Sequence, residues 1–215
     1  MKKFNKILLL VLVAVMVAGL FAGCETAAQK LEKLAGTYVM TADDTEEQAE
    51  ILLENIDLYE EEIAVVDLTS LDYVQIVEFT TEKTYRFAYD VDGTKECVHT
   101  FFDGVFADLY DNRSVLNDTY AQDFDSMSEA EFQQFYADLY GFEDFTTLIN
   151  EMTENAYDWD ALGEDWETGT FTISGSDIMC TISGETRAEA LGYKLDGTTL
   201  TLTYADGTEV YTRIN

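Results

Sequence analysis

Tyr193-Lys194-Leu195-Asp196-Gly197-Thr198-Thr199-Leu200-Thr201-Leu202 reads as a strand, a tight turn and a second strand. Tyr193 and Leu195 flank a lysine, and Leu200 and Leu202 alternate with threonines. This is the period of two that a half-buried strand requires. Asp196-Gly197 between them is a hairpin signal, because glycine takes positive φ without a Cβ penalty. Arg187 to Leu195 predicts the whole first strand, and Tyr204 extends the apolar face of the second. Asp206-Gly207 turns the chain again, and Val210, Thr212 and Ile214 close it. Upstream, Phe171 and Ile173 face one way and Thr170 and Thr172 the other. After Gly175-Ser176-Asp177, the residues Ile178, Cys180 and Ile182 share a face.

The same alternation recurs in the first half. Leu34 to Met40 predicts a first strand, and Tyr73 to Phe79 and Thr84 to Tyr89 predict two more, joined by a turn at Thr80 to Lys83. Between them, Thr45-Glu46-Glu47-Gln48 fits a capping box and opens a predicted amphipathic helix over about 46–62. Asp92-Gly93 predicts another hairpin turn, with a strand over Glu96 to Thr100. The period then changes to about 3.6. Phe101, Phe102, Val105, Phe106, Leu109 and Tyr110 share a helical face. Ser128-Glu129-Ala130-Glu131 opens a further helix ended by Gly141, and Phe145, Leu148, Ile149 and Met152 mark one more. The expected fold is α+β, mostly β: an up-and-down antiparallel meander of eight or nine strands, with a helical insertion at about 101–163. Such a sheet removes its edges by closing into a barrel.

Three stretches carry a resemblance. Leu34-Ala35-Gly36-Thr37-Tyr38 looks like the start of lipocalin-like bacterial lipoprotein domains, in which Leu-x-Gly-x-aromatic opens the first strand. Glu167 to Ile173 is similar to the same domains, and so is Tyr193 to Leu202 with Asp206-Gly207-Thr208 and a closing Arg213. The resemblance implies a lipocalin-like barrel over 34–215 and leaves the helical stretch uncovered.

The chain begins with Lys2, Lys3 and Lys6, an apolar run from Ile7 and the small residues Ala22 and Gly23 before Cys24. A basic segment, an apolar run and a small-residue cut site describe a secretory signal over 1–23. The run is short for a membrane span. Leu20-Phe21-Ala22-Gly23-Cys24 resembles a lipobox, with Phe21 where leucine is commonest. That resemblance implies lipidation of Cys24 and an extracytoplasmic chain held to the cell membrane. Two acyl chains suffice for stable anchoring at about 0.8 kcal/mol per buried methylene. Residues 24–33 are then the lipidated cysteine and a tether, with a reach of roughly 30 Å when extended.

Cleaving the signal leaves nine basic residues against 43 acidic ones, a net charge of about −34 in place of −31 for the whole chain. That sign excludes electrostatic binding of nucleic acid. The 13 Phe and 13 Tyr and the clear periodicities exclude a disordered chain. Outside the cell, Cys97 and Cys180 could pair, or serve as two small buried apolar groups. Cys97 and His99, on one face of the expected strand, fall short of a zinc site, which needs three or four ligands. Asp90-Val91-Asp92-Gly93 echoes a calcium loop, but Lys95 intrudes and no terminal Glu follows at the required spacing. Asp158 and Asp160 about Trp159, and Glu164 and Asp165 before Trp166, could line a sugar cleft. Solvated acids beside buried aromatics explain them more simply. With no nucleophile arrangement in the sequence, no enzyme activity, cofactor or metal is expected.

The aromatic stripe remains. Phe102, Phe106, Tyr110, Phe135 and Tyr136 either pack as core or line part of a ligand pocket. The first functional expectation is a lipid-anchored, lipocalin-like protein binding a small apolar or cationic molecule. The alternative is an envelope interaction module that meets another protein through its helical insertion.

Overall fold

The computed structural model describes residues 25–205 and 207–214. Cys24 and the signal segment 1–23 lie outside the described residues. Eight strands pair antiparallel in sequence order and close into a barrel. They are β1 (Gly36–Asp43), β2 (Asp72–Phe79), β3 (Thr84–Tyr89), β4 (Glu167–Ser174), β5 (Asp177–Ile182), β6 (Glu189–Asp196), β7 (Thr199–Thr203) and β8 (Thr208–Arg213). Closure is made where Tyr38 and Val39 of β1 face Arg213 and Thr212 of β8. The hairpin predicted over 193–202 forms, with Leu195 opposite Leu200 and Gly197 at φ +62°.

Alternation places one set of side chains inside. Tyr38, Val77, Phe79, Phe87, Phe171, Ile178, Leu200, Leu202 and Tyr211 form the barrel core, each almost fully buried. One close approach fixes the β4–β5 pairing. A Cβ built on Gly169 would lie 2.2 Å from the Thr181 carbonyl oxygen and 2.7 Å from the Tyr85 ring.

Helix exceeds strand, 44% to 29% of the described residues, which corrects the expectation of a mostly-β chain. Three departures from the expected elements are seen. First, the predicted tether is a helix, α1 (Ala27–Leu34), opened by a capping box of Thr26 and Gln29. Its Leu31 and Leu34 pack into the barrel core. Second, the β1–β2 connection holds α2 (Glu46–Asn55) and a separate turn of helix, α3 (Glu60–Ile63), where one helix is expected. Third, Asp92-Gly93 is no hairpin. The Asp90 carboxylate accepts the Gly93 N–H at 3.2 Å and starts α4 (Val91–Asp111). Thr94, Val98, Phe101, Phe102, Val105, Phe106 and Leu109 are its buried stripe. The strand expected over 96–100 is therefore helix, and the insertion begins at residue 91. It continues through α5 (Asn117–Tyr120), α6 (Glu129–Tyr140), α7 (Phe145–Asn155) and α8 (Trp159–Leu162). The capping box at Ser128 and Glu131 and the left-handed Gly141 bound α6 as the sequence predicts.

Asp43 lies opposite Asp72, and Phe87 opposite Glu167. Both helical connections therefore leave and re-enter at the same end of the barrel. They share one hydrophobic core distinct from that of the barrel. At the other end, α1 packs beside β4. No helix among the described residues is long and apolar enough to cross a membrane.

Candidate functional site

The five aromatic candidates are brought together, but as packing. Phe102, Phe106 and Tyr136 are at most 2% exposed, and Tyr110 and Phe135 are partly buried against the same core. Phe106 meets Tyr136 edge-on at 5.1 Å, and Phe135 meets Tyr136 at 5.4 Å. None of the five lines the main surface clefts of the described residues. Their ring partners are other aromatic side chains of the helical cap.

The other sequence candidates are dispersed. Cys97 sits on α4, not on a strand, and Cys97 and Cys180 are both free. The His99 Nδ1 lies 3.3 Å from the Asp103 carboxylate one turn on. Among the described residues no group of three or more His, Cys, Asp or Glu is placed to hold a metal ion. Asp90 and Asp158 cap α4 and α8, and Asp165 pairs with Arg86 at 3.1 Å.

A different site forms where the helical cap meets the barrel rim. Antiparallel register places Tyr73 at the rim of β2 and Tyr89 at the rim of β3, since Gln75 faces Tyr89. Both continue the inward parity of Val77 and Phe87, and their rings meet edge-on at 5.6 Å. The turn between α7 and α8 brings down Tyr157, held edge-on against Trp159 at 5.2 Å. The Trp159 indole N–H is fixed by the Thr153 and Glu154 carbonyls, at 3.2 and 3.0 Å. From the end of β1 comes Asp44, and from α2 comes Gln48. With Thr94 and Leu162 these residues line a cleft of about 270 Å³.

Its electrostatics are one-sided. Burial raises the Tyr73 phenol, and Tyr89, Asp44, Glu209 and Asp43 add to the shift. Burial likewise raises Tyr157, with Asp44 next. Burial also lifts the Asp72 carboxyl, and its β1 neighbour Asp43 lifts it further. None of the residues lining the cleft is cationic. The Asp44 carboxylate is only partly occupied. One oxygen accepts the Thr45 N–H at 2.8 Å, and the other receives the Tyr157 hydroxyl at a long 3.4 Å. The Gln48 N–H is taken by the Thr45 hydroxyl at 3.1 Å. The Gln48 side chain lines the cleft, and the reciprocal half of the expected capping box is not made.

A second cleft, of about 250 Å³, lies at the opposite end between α1 and β4, lined by Ala27, Ala28, Leu31, Lys83, Phe171, Thr172 and Ile173. The sequence reading misses the rim site because Asp44, Gln48 and Tyr157 join the tyrosines of the β2–β3 hairpin only through packing of the helical cap. The signal that could find it is the parity of Tyr85, Phe87 and Tyr89, which sends Tyr89 inward at the strand end.

Comparison of the chain with protein-family models, with curated proteins and with solved structures returns no match.

Proposed function

We infer that the protein is an extracytoplasmic lipoprotein, anchored to the cell membrane through Cys24, whose lipocalin-like domain binds a small apolar or cationic molecule at its rim. The observation that carries the binding half is the tyrosine-lined cleft between the barrel rim and the helical cap. Ligand sites favour barrel mouths and the seams between packed units, and they combine apolar walls with a few placed polar groups. The barrel interior is filled by side chains, so the site is a rim cleft and not a deep calyx. The address rests on the segment before Cys24, and the lipocalin-like reading on the three sequence stretches together with the closed eight-stranded barrel.

Two measurements test the two halves. Metabolic labelling with a fatty acid should mark the wild-type chain and not Cys24→Ala, and labelling of both would remove the anchor from the reading. A native mass spectrum of the protein released from its own host should show a stoichiometric small molecule. A clean apo mass, unchanged after incubation with lipids, amines and sugars, would favour the envelope interaction module instead. That second reading has Tyr59, Val115 and Leu139, each about half exposed on the cap, as its available contacts.

A further inference from the structure

We propose that the rim cleft selects a small protonated amine, with Asp44 as the charge partner and Tyr73, Tyr89 and Tyr157 as the walls. This rests on the small-molecule reading above and narrows it to one chemical class. Three observations lead there. Tyrosine rings present a negative π face, and a cation within about 6 Å of such a face is attracted to it. Two of the rings meet edge-on at 5.6 Å, the third reaches the Asp44 carboxylate with its hydroxyl at 3.4 Å, and all four residues line one cleft. No lysine or arginine lines that space to neutralise it.

The carboxylate also distinguishes among cations. Its outer oxygen has one long contact, 3.4 Å from the Tyr157 hydroxyl, and so can accept a short charge-assisted N–H bond. A primary or secondary ammonium supplies that bond, whereas a quaternary ammonium has no N–H to give. The methyl groups of Leu162 and the ring edges accommodate an apolar body. At about 270 Å³ the cleft is slightly smaller than the sites that enclose drug-sized ligands, roughly 300 Å³ and above. The field of a chain with net charge −31 raises the local concentration of any cation at the same time.

The test is calorimetric titration of the detergent-solubilised full chain with three probes that share one phenylethyl body. These are 2-phenylethylamine, its N,N,N-trimethyl derivative and the neutral, isosteric 2-phenylethanol. The amine should bind at least about tenfold tighter than the alcohol, with the trimethyl compound between them. Asp44→Asn should erase the advantage of the amine over the alcohol while leaving the far-ultraviolet circular dichroism unchanged. Tyr157→Phe should keep most of the affinity, because the ring remains. If the alcohol binds as tightly as the amine, or Asp44→Asn leaves the amine affinity unchanged, the amine assignment falls and the small-molecule reading stands. If none of the three probes binds and the native protein carries no ligand, both fall.

Discussion

Of the consecutive acids Glu60, Glu61 and Glu62, the first two are exposed and the third is fully buried in the cap. The Glu62 carboxylate accepts three hydrogen bonds: from the Tyr59 N–H at 2.8 Å, the Tyr120 hydroxyl at 2.8 Å and the Tyr136 hydroxyl at 2.5 Å. A buried carboxylate persists only when its lone pairs are used in this way. Removing it leaves two phenols and an amide without an acceptor, each at about 1–3 kcal/mol. Glu62→Ala should therefore destabilise by about 3–5 kcal/mol in urea unfolding, and Glu62→Gln, which keeps one acceptor oxygen, by clearly less. Equal losses would show that charge and not acceptor geometry matters. The free thiols make a second residue-scale prediction. Burial, with help from Glu167 and Glu189, pushes the Cys180 thiol up to about 12, and burial with Asp72 and Glu96 raises Cys97. The thiolate is the reactive form, so at pH 8 iodoacetamide should leave Cys180 unmodified in the folded protein and label Cys97 slowly. Mass spectrometry of the peptides reads both, and rapid labelling of Cys180 would contradict the buried site. No sequence pattern marks Glu62 among its neighbours. Which glutamate turns inward is decided by tyrosines 58 and 74 residues further on.

At the scale of elements, β-alternation is a strong local signal, and all eight strands lie where it places them. The segment 91–100 shows where the signal gives way. Asp92-Gly93-Thr94 has the composition of the two true hairpins, but Asp90 three residues before Gly93 also makes an N-cap. The deciding clue is that Thr94 and Val98 extend the helical stripe of Phe101 and Phe102 backward, and such a stripe buries more apolar area than an isolated strand. The residues 25–33 hide α1 for a similar reason, since eight residues are too few for a helix to declare itself by period alone. It is stabilised by docking. Arg213 of β8 donates to the Lys33 and Ala35 carbonyls and lies 5.0 Å over the Tyr38 ring. The rim site is the least legible part, because strand register and helix packing together bring its residues from five elements and two connecting segments. One element-scale prediction concerns the closest strand approach. Gly169→Ala forces a methyl against the Thr181 carbonyl and should cost about 2 kcal/mol or more, shifting the urea midpoint down with the slope unchanged. A neutral substitution would show that β4 and β5 can separate without loss.

For the whole molecule, charge and burial set its response to pH. Burial is the first cause of the raised phenols of Tyr85, Tyr120, Tyr136, Tyr204 and Tyr211, and Glu167, Glu62 and Glu209 reinforce it. These groups stay protonated in the folded state at pH values where the unfolded chain, with phenols near 10, has released its protons. Their contribution to stability is therefore complete below about pH 10 and is lost as the pH rises beyond it. Alkaline titration should show the tyrosinate absorbance at 295 nm rising late and cooperatively, together with loss of circular dichroism. A gradual rise centred on pH 10 with the fold intact would contradict this. α1 packs at the barrel end opposite the helical cap, so under the proposed anchor the rim cleft lies at the end far from the lipidated residue. Finally, both helical connections begin and end on strands that are already paired neighbours, so the eight-stranded meander is complete without them. The bonds from Glu62 to Tyr120 and Tyr136 tie the two connections to each other, so loosening either one strips buried polar partners from the other.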